Sequence, residues 1–175
     1  MAVGREIEAA TGLPLFHNHV SIEPVLPFFT FGTEPFVRLV DGFRNRMFDE
    51  VAEYGLRGMI FTFVWDLNSK ADTDFVERAC SLFAQRGHQV AFVELSATIE
   101  QRLIRNRGAD RVREKPSKRD VERSEQYLLL NSSKYRLNTD GSIPLPYRLV
   151  RIDTTDLSAK ATARRVIDEL GLAEQ

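Results

Sequence analysis

The residues best suited to chemistry begin with a basic run. Arg102, Arg105, Arg107, Arg111, Arg113, Lys115, Lys118 and Arg119 share one short span, against only Asp110 and Glu114. Guanidinium groups grip phosphate oxygens through paired N–H donors. A mobile arginine-rich segment closing over a transferring phosphoryl group would stabilise its charge and exclude water. The same run also reads as a solvated helix face. Nucleic-acid binding is the weaker reading, because no aromatic residue interleaves the arginines.

A second candidate is His17-Asn18-His19, at the end of the short apolar segment Leu13 to Phe16. Ligands of parallel α/β sheets bind beyond the carboxyl ends of strands. Two histidines at i and i+2 on a strand would share one face. No cysteine or carboxylate cluster joins them, so the sequence assigns no metal here. Polar contacts to a small substrate and plain strand-end residues satisfied by backbone groups both remain open. Asp66 follows the apolar run Gly58 to Trp65 directly. A carboxylate there can reach a magnesium ion or its waters. Arg44, beside Phe43, reads on its own as a solvent-facing ion-pair residue. Asp153 to Asp156 read as a turn and a helix cap.

The elements that must position these residues follow from apolar periodicity. Val3 to Thr11 reads as a helix with Ile7, Ala10 and Val3 inward, ended by Gly12 in the left-handed position. Val20 to Phe31 is broken by Pro24 and Pro27 and reads as a short helix or irregular cover. Glu34 to Tyr54 is the clearest helix, with Phe36, Val40, Phe43, Met47, Val51 and Tyr54 as its apolar stripe. Gly58 to Trp65 is a strand buried on both faces. Thr73 to Arg86 is a helix, Gln89 to Leu95 a strand, and Ser96 or Thr98, the latter with Gln101 at capping-box spacing, the cap of a helix reaching about Arg107. Val121 to Leu130 is a helix, Asn131 to Pro146 a polar connection, Tyr147 to Asp153 a strand, and Ser158 to Leu170 a helix closed by Gly171. The order α-β-α-α-β-α-β-α-α-β-α predicts an α/β fold: one domain over residues 1–175, a parallel sheet with helices on both faces.

Composition narrows the function classes. The chain has 175 residues, a net charge of -1 and 28% charged residues. That balance gives no global attraction to nucleic acid or membrane. No apolar run is long enough to span a bilayer. The single cysteine, Cys80, excludes an internal disulfide and reads as a buried helix thiol. A reduced, cytoplasmic setting is the default expectation.

Taken together, the histidine strand, Phe43-Arg44, the strand Met59 to Trp65, the strand Ala91 to Leu95, Lys115-Pro116-Ser117-Lys118-Arg119 and Asp153 to Ser158 resemble the small P-loop kinases. The closest group is the shikimate-kinase-like "AAA family ATPase" proteins, and the resemblance covers nearly the whole chain. It implies a five-stranded parallel sheet with ATP and Mg2+ at its carboxyl edge. It implies a pocket for a small-molecule phosphoryl acceptor near His17, Asn18, His19 and Arg44. It implies a lid over residues 102–119 whose arginines, Arg105 and Arg111 first and Arg102 with them, touch the phosphates. Asp66 would lie near magnesium, and Thr154 and Thr155 near the adenine. Met47 stands where the shikimate kinases carry an acidic residue, which speaks against shikimate itself.

The pattern departs at its front. Such kinases open with a strand and a Gly-x-x-x-x-Gly-Lys loop that cradles the phosphates. Here Met1 to Glu6 looks like the residues just after that lysine. The expectation is that Met1 is an internal methionine of a longer protein, and that the chain as written has little or no kinase activity. The strands from Met59 and Gln89 would then lose the neighbour they share. The alternative is a non-catalytic, degenerate paralogue that binds a phosphorylated ligand or partner through the basic lid, with its sheet completed by another chain, as in a strand-exchanged homodimer.

Overall fold

A computed structural model describes residues 1–108 and 120–173. Its elements, in chain order, are α1 (Ala2–Thr11), β1 (Leu15–His17), α2 (His19–Ile22), α3 (Glu34–Glu53), β2 (Ile60–Thr62), α4 (Lys70–Gln85), β3 (Ala91–Ser96), α5 (Ile99–Asn106), α6 (Val121–Lys134), β4 (Arg148–Asp153) and α7 (Ala159–Leu170). The expected order of helices and strands holds among the described residues, and the chain is an α/β protein.

Local chemistry explains most of the boundaries. Gly12, at φ 68°, ends α1, and Gly171, at φ 63°, ends α7; both are left-handed positions that disfavour a β-carbon. Four helices carry side-chain caps on their first turn. The Ser69, Thr98 and Ser158 hydroxyls accept from the N–H groups of Asp72, Gln101 and Ala161, and the Asp120 carboxylate accepts from that of Arg123. Each such cap contributes about 1 kcal/mol.

All strands pair in parallel, but in two separate ribbons. β1 pairs with β2 in the register Leu15–Ile60, Phe16–Phe61, His17–Thr62. β3 pairs with β4 from Ala91–Arg148 through Ser96–Asp153. The single five-stranded sheet implied by the resemblance is therefore not formed among the described residues: β2 and β3 do not bond to each other. The apolar run Gly58 to Trp65 is also less regular than expected. Only Ile60–Thr62 is a strand, and it is half-buried rather than enclosed. A strand is maintained by partners on its edges, and among the described residues β2 has one.

Apolar layers cover the ribbons. Ile7 of α1, Val150 and Ile152 of β4, and Ala163, Val166 and Ile167 of α7 form one, with Ile60 and Val93 against it. Phe16, Phe48, Phe75, Val76 and Cys80 form another, joined by Phe61, Phe63, Trp65, Phe92 and Tyr147. Ile22, Phe36 and Val40 make a smaller cluster under the 19–33 segment. Cys80 is a buried thiol, as expected, and burial pushes its pKa up to about 11. Such a thiol is a poor nucleophile at neutral pH.

The stripe of α3 needs correction. Its buried residues are Phe36, Val40, Arg44, Phe48, Val51 and Ala52. Phe43 and Tyr54, assigned inward by the sequence, are exposed. The run 36-40-44-48-52 at steps of four wins because Phe48 enters the phenylalanine cluster, and it carries Arg44 inward.

Candidate functional site

Beyond the carboxyl ends of β1 and β2, a connected polar chain forms. The Asn18 N–H faces the Thr62 hydroxyl at 3.4 Å. The Ser21 hydroxyl donates to the Asn18 carbonyl at 2.8 Å, and Arg44 Nε donates to Ser21 Oγ at 2.9 Å. Arg44 Nη1 lies 3.5 Å from Asp41 Oδ1. The elements dictate this. β1 and β2 bring their tips together, the turn into α2 aims Ser21 at α3, and the four-residue step of α3 points Arg44 back at it.

Arg44 is only 5% exposed. Its guanidinium stacks over Phe61, Phe63 and Phe75, 5.5–5.9 Å from their ring centroids. The solvent-facing reading of Arg44 is thereby overturned. Burial pulls its pKa down, while Asp41 and Asp72 act the other way. Burial raises the pKa of Asp41, against the lowering influence of Arg44 and Arg78. Among the described residues the polar contacts of Arg44 are Ser21 and Asp41, and a guanidinium has five N–H donors able to make charge-assisted hydrogen bonds.

The histidines divide. His17 is the buried last residue of β1. Asn18 is already in helical conformation and His19 is the first residue of α2, so the two imidazoles do not share a strand face as expected. His19 Nδ1 pairs with Glu23 Oε1 at 2.8 Å, one turn on. Asp66 sits past the end of β2, where the sequence put it. Its Oδ1 accepts from the N–H groups of Asn68 and Arg136, at 3.1 Å each. Its own N–H donates to Asp72 Oδ2 at 3.0 Å. Among the described residues no group of His, Cys, Asp or Glu could hold a metal ion by itself. Asp66 fits magnesium only as a single donor through its remaining oxygen, with water and substrate oxygens supplying the rest.

Of the arginines expected to grip phosphate, the described ones are otherwise engaged. Arg105 donates to Thr154 Oγ1 at 2.9 Å and to the carbonyls of Thr154, Thr155 and Leu157 at 2.5, 3.3 and 3.0 Å. It thus locks the loop between β4 and α7. Thr154 also holds the Ser96 carbonyl through both its N–H and its hydroxyl, each at 2.8 Å. Thr155 bonds Asp153 through its N–H and its hydroxyl, and accepts from the Thr98 N–H. Both threonines are therefore spent on joining the ends of β3 and β4 to the start of α5. Arg102 donates to Ser132 Oγ at 3.0 Å, and Arg107 grips Glu125 with both carboxylate oxygens. These contacts staple α5 to α6. Arg111 and the rest of the lid from 109 to 119 lie outside the described residues.

Sequence reasoning missed Ser21, Asp41 and Asp72. Asp41 had a readable signal, one helical turn before Arg44. Ser21 and Asp72 had none, because their roles depend on how α2 and α4 meet α3.

No protein-family model matches the chain, and no curated protein matches it. Among solved structures, the tunicamycin resistance protein of Deinococcus radiodurans is similar, with a TM-score of 0.55 and 14% sequence identity over 99% of this chain and 92% of that one. At that identity the likeness concerns the fold alone.

Proposed function

We propose that this chain carries the acceptor side of an ATP-dependent small-molecule phosphotransferase of the shikimate-kinase-like P-loop group. One observation carries the reading: the run Thr62–Asn18–Ser21–Arg44–Asp41 at the carboxyl ends of two parallel strands, with Asp66 just beyond. In this reading Arg44 receives an anionic group of the acceptor, and Asn18 and His19 flank it. In this reading the described residues supply no grip for a triphosphate, and the chain as written turns over little or no substrate.

The test is a calorimetric screen of small acceptors carrying an anionic group, on this chain and on its Arg44→Met variant, with ADP release from Mg-ATP followed alongside. Tunicamycin belongs in the screen, because the structural neighbour is a tunicamycin resistance protein. Acceptor binding that is lost in Arg44→Met, with little or no turnover, is the expected result. Turnover by this chain contradicts the inactivity; no acceptor binding, or binding that survives in Arg44→Met, contradicts the acceptor role.

A further inference from the structure

The first turn of α4 reaches back over the residues that follow β2. Thr73 Oγ1 accepts from the Trp65 indole N–H at 3.1 Å, and Asp72 Oδ2 accepts from the Asp66 N–H at 3.0 Å. Two consecutive helix residues thus hold two consecutive residues past the strand. The Ser69 N–H donates to the Asp66 carbonyl at 2.8 Å, and Ser69 Oγ in turn accepts from the Asp72 N–H at 3.2 Å. The helix cap therefore fixes the Asp72 backbone, and with it the place from which the carboxylate reaches Asp66.

The same carboxylate acts on Arg44. Asp72 and Phe75, three residues apart, share a side of α4, and the Arg44 guanidinium lies 5.5 Å from the Phe75 ring centroid. The charge of Asp72 favours the charged form of Arg44 and disfavours that of Asp41. Arg44 and Arg78 act on Asp41 in the opposite sense. An anion arriving at Arg44 therefore meets two carboxylates, Asp41 from its own helix and Asp72 from across the contact between α3 and α4.

We propose that Asp72 is a positioning residue of the acceptor site: its carboxylate fixes the Asp66 backbone, and its charge sets how strongly Arg44 takes an anion. The inference rests on the proposed acceptor role of Arg44. A guanidinium buried among rings needs counter-charge while no ligand is present. Asp72 supplies part of it, and an incoming anion has to compete with that carboxylate. One side chain thereby ties the residue past the strand tip to the receptor, because both depend on how α4 meets α3.

Two substitutions separate the hold from the charge. Asp72→Asn keeps an oxygen for the Asp66 N–H and removes the charge; Asp72→Ala removes both. Three signals are read by NMR on the 175-residue chain and on each variant. They are the titration of Asp41, the exchange of the Asp66 amide, and the binding of sulfate at constant ionic strength, followed at Arg44 Nε–H. In Asp72→Asn the Asp41 pKa should fall, since a like charge that raises it is gone. Sulfate should bind that variant about threefold tighter or more, and its Asp66 amide should exchange as before. In Asp72→Ala that amide should exchange about 10-fold faster or more. Structural damage weakens sulfate binding, so the tightening distinguishes a lost charge from a disturbed fold. Three results overturn the inference: an Asp41 pKa that stays put in Asp72→Asn, an Asp66 amide as protected in Asp72→Ala as in the parent chain, or sulfate binding that is lost in Arg44→Met yet no tighter in Asp72→Asn. Sulfate that binds no form, or binds Arg44→Met equally well, overturns the acceptor role of Arg44. The Asp41 and Asp66 signals need no ligand and then decide the inference by themselves.

Discussion

The β1–β2 ribbon closes with α3 and α4 around a knot of phenylalanines; the β3–β4 ribbon closes at its carboxyl end around hydrogen bonds. In the first, Phe48 contacts Phe16, Phe61, Phe75 and Phe83 at ring-centroid distances of 5.0–6.2 Å. In the second, Arg105, Thr154, Thr155 and Ser96 hold the loops together through polar atoms. The difference shows in their arginines. The apolar frame holds Arg44 against rings, Ser21 and Asp41. The polar frame engages Arg105 with one hydroxyl and three carbonyls. Under the proposed function the receptor is therefore Arg44 and not Arg105, although the sequence makes the basic run more conspicuous.

The comparison breaks most visibly at Phe48, which is 2% exposed. Phe48→Ala should cost about 3–5 kcal/mol in urea unfolding, since it opens a cavity at the centre of the aromatic cluster. A loss below about 1 kcal/mol would mean that the cluster is loosely packed.

Arg105→Ala should cost less, about 1–2 kcal/mol, by releasing the Thr154, Thr155 and Leu157 carbonyls. Arg105→Lys should recover little, because an ammonium lacks the planar fork. Unchanged stability in both variants would free Arg105 for phosphate and erase the contrast between the two halves.

Arg44→Met sharpens the comparison at a cost on the order of 1–2 kcal/mol, less than the loss of one partner from a fully buried pair, since the Asp41 side chain is 36% exposed and can be rehydrated. Its specific signature is Asp41. Burial already raises that carboxyl, and losing the Arg44 charge should raise it further in an NMR titration. An Asp41 pKa that stays put would show that the two do not interact.

The smallest effect is a pH dependence in the hydrogen-bonded half. Burial pushes Glu94 up, but hydrogen bonds from Thr139, Asn138 and Arg151 outweigh it and hold the carboxyl below its usual range. A depressed carboxyl contributes stability above its unfolded pKa, and that stability is lost as pH falls through the folded value. Glu94→Gln should therefore lower stability near neutrality by about 1 kcal/mol, with the gap closing below roughly pH 4. A gap that persists in acid would mean that the carboxylate charge is irrelevant. Asp41 works oppositely: its raised pKa costs stability above the folded value, and the cost fades as pH falls toward the unfolded one.

Much of the fold was legible in the sequence because helices announce themselves by period and caps. Thr98, Asp120 and Ser158 cap the helices that the pattern demanded. Burial on α3 was less legible. Phe36 and Val40 fit either of two stripes one residue apart, and only the contact with β2 decides that Arg44, and not Phe43, turns inward. The extent of β2 was not legible, because a strand's length is set by its neighbours and not by its own apolar run. For the site, position was readable and commitment was not. Asn18 follows β1 directly and Asp66 follows the apolar run that holds β2, as the sequence shows, whereas the helix pattern turned Arg44 outward and the structure buries it. That Arg105 and Thr154 bond each other could not be read from residues that lie 49 apart in the chain.

The central proposal is that Arg44 and the strand tips form the acceptor side of a phosphotransferase, with no triphosphate grip among the described residues. Calorimetric titration of this chain with Mg-ATP tests the second half most directly. The account predicts no measurable heat of binding. Saturable, one-to-one binding of Mg-ATP to the 175-residue chain would contradict it.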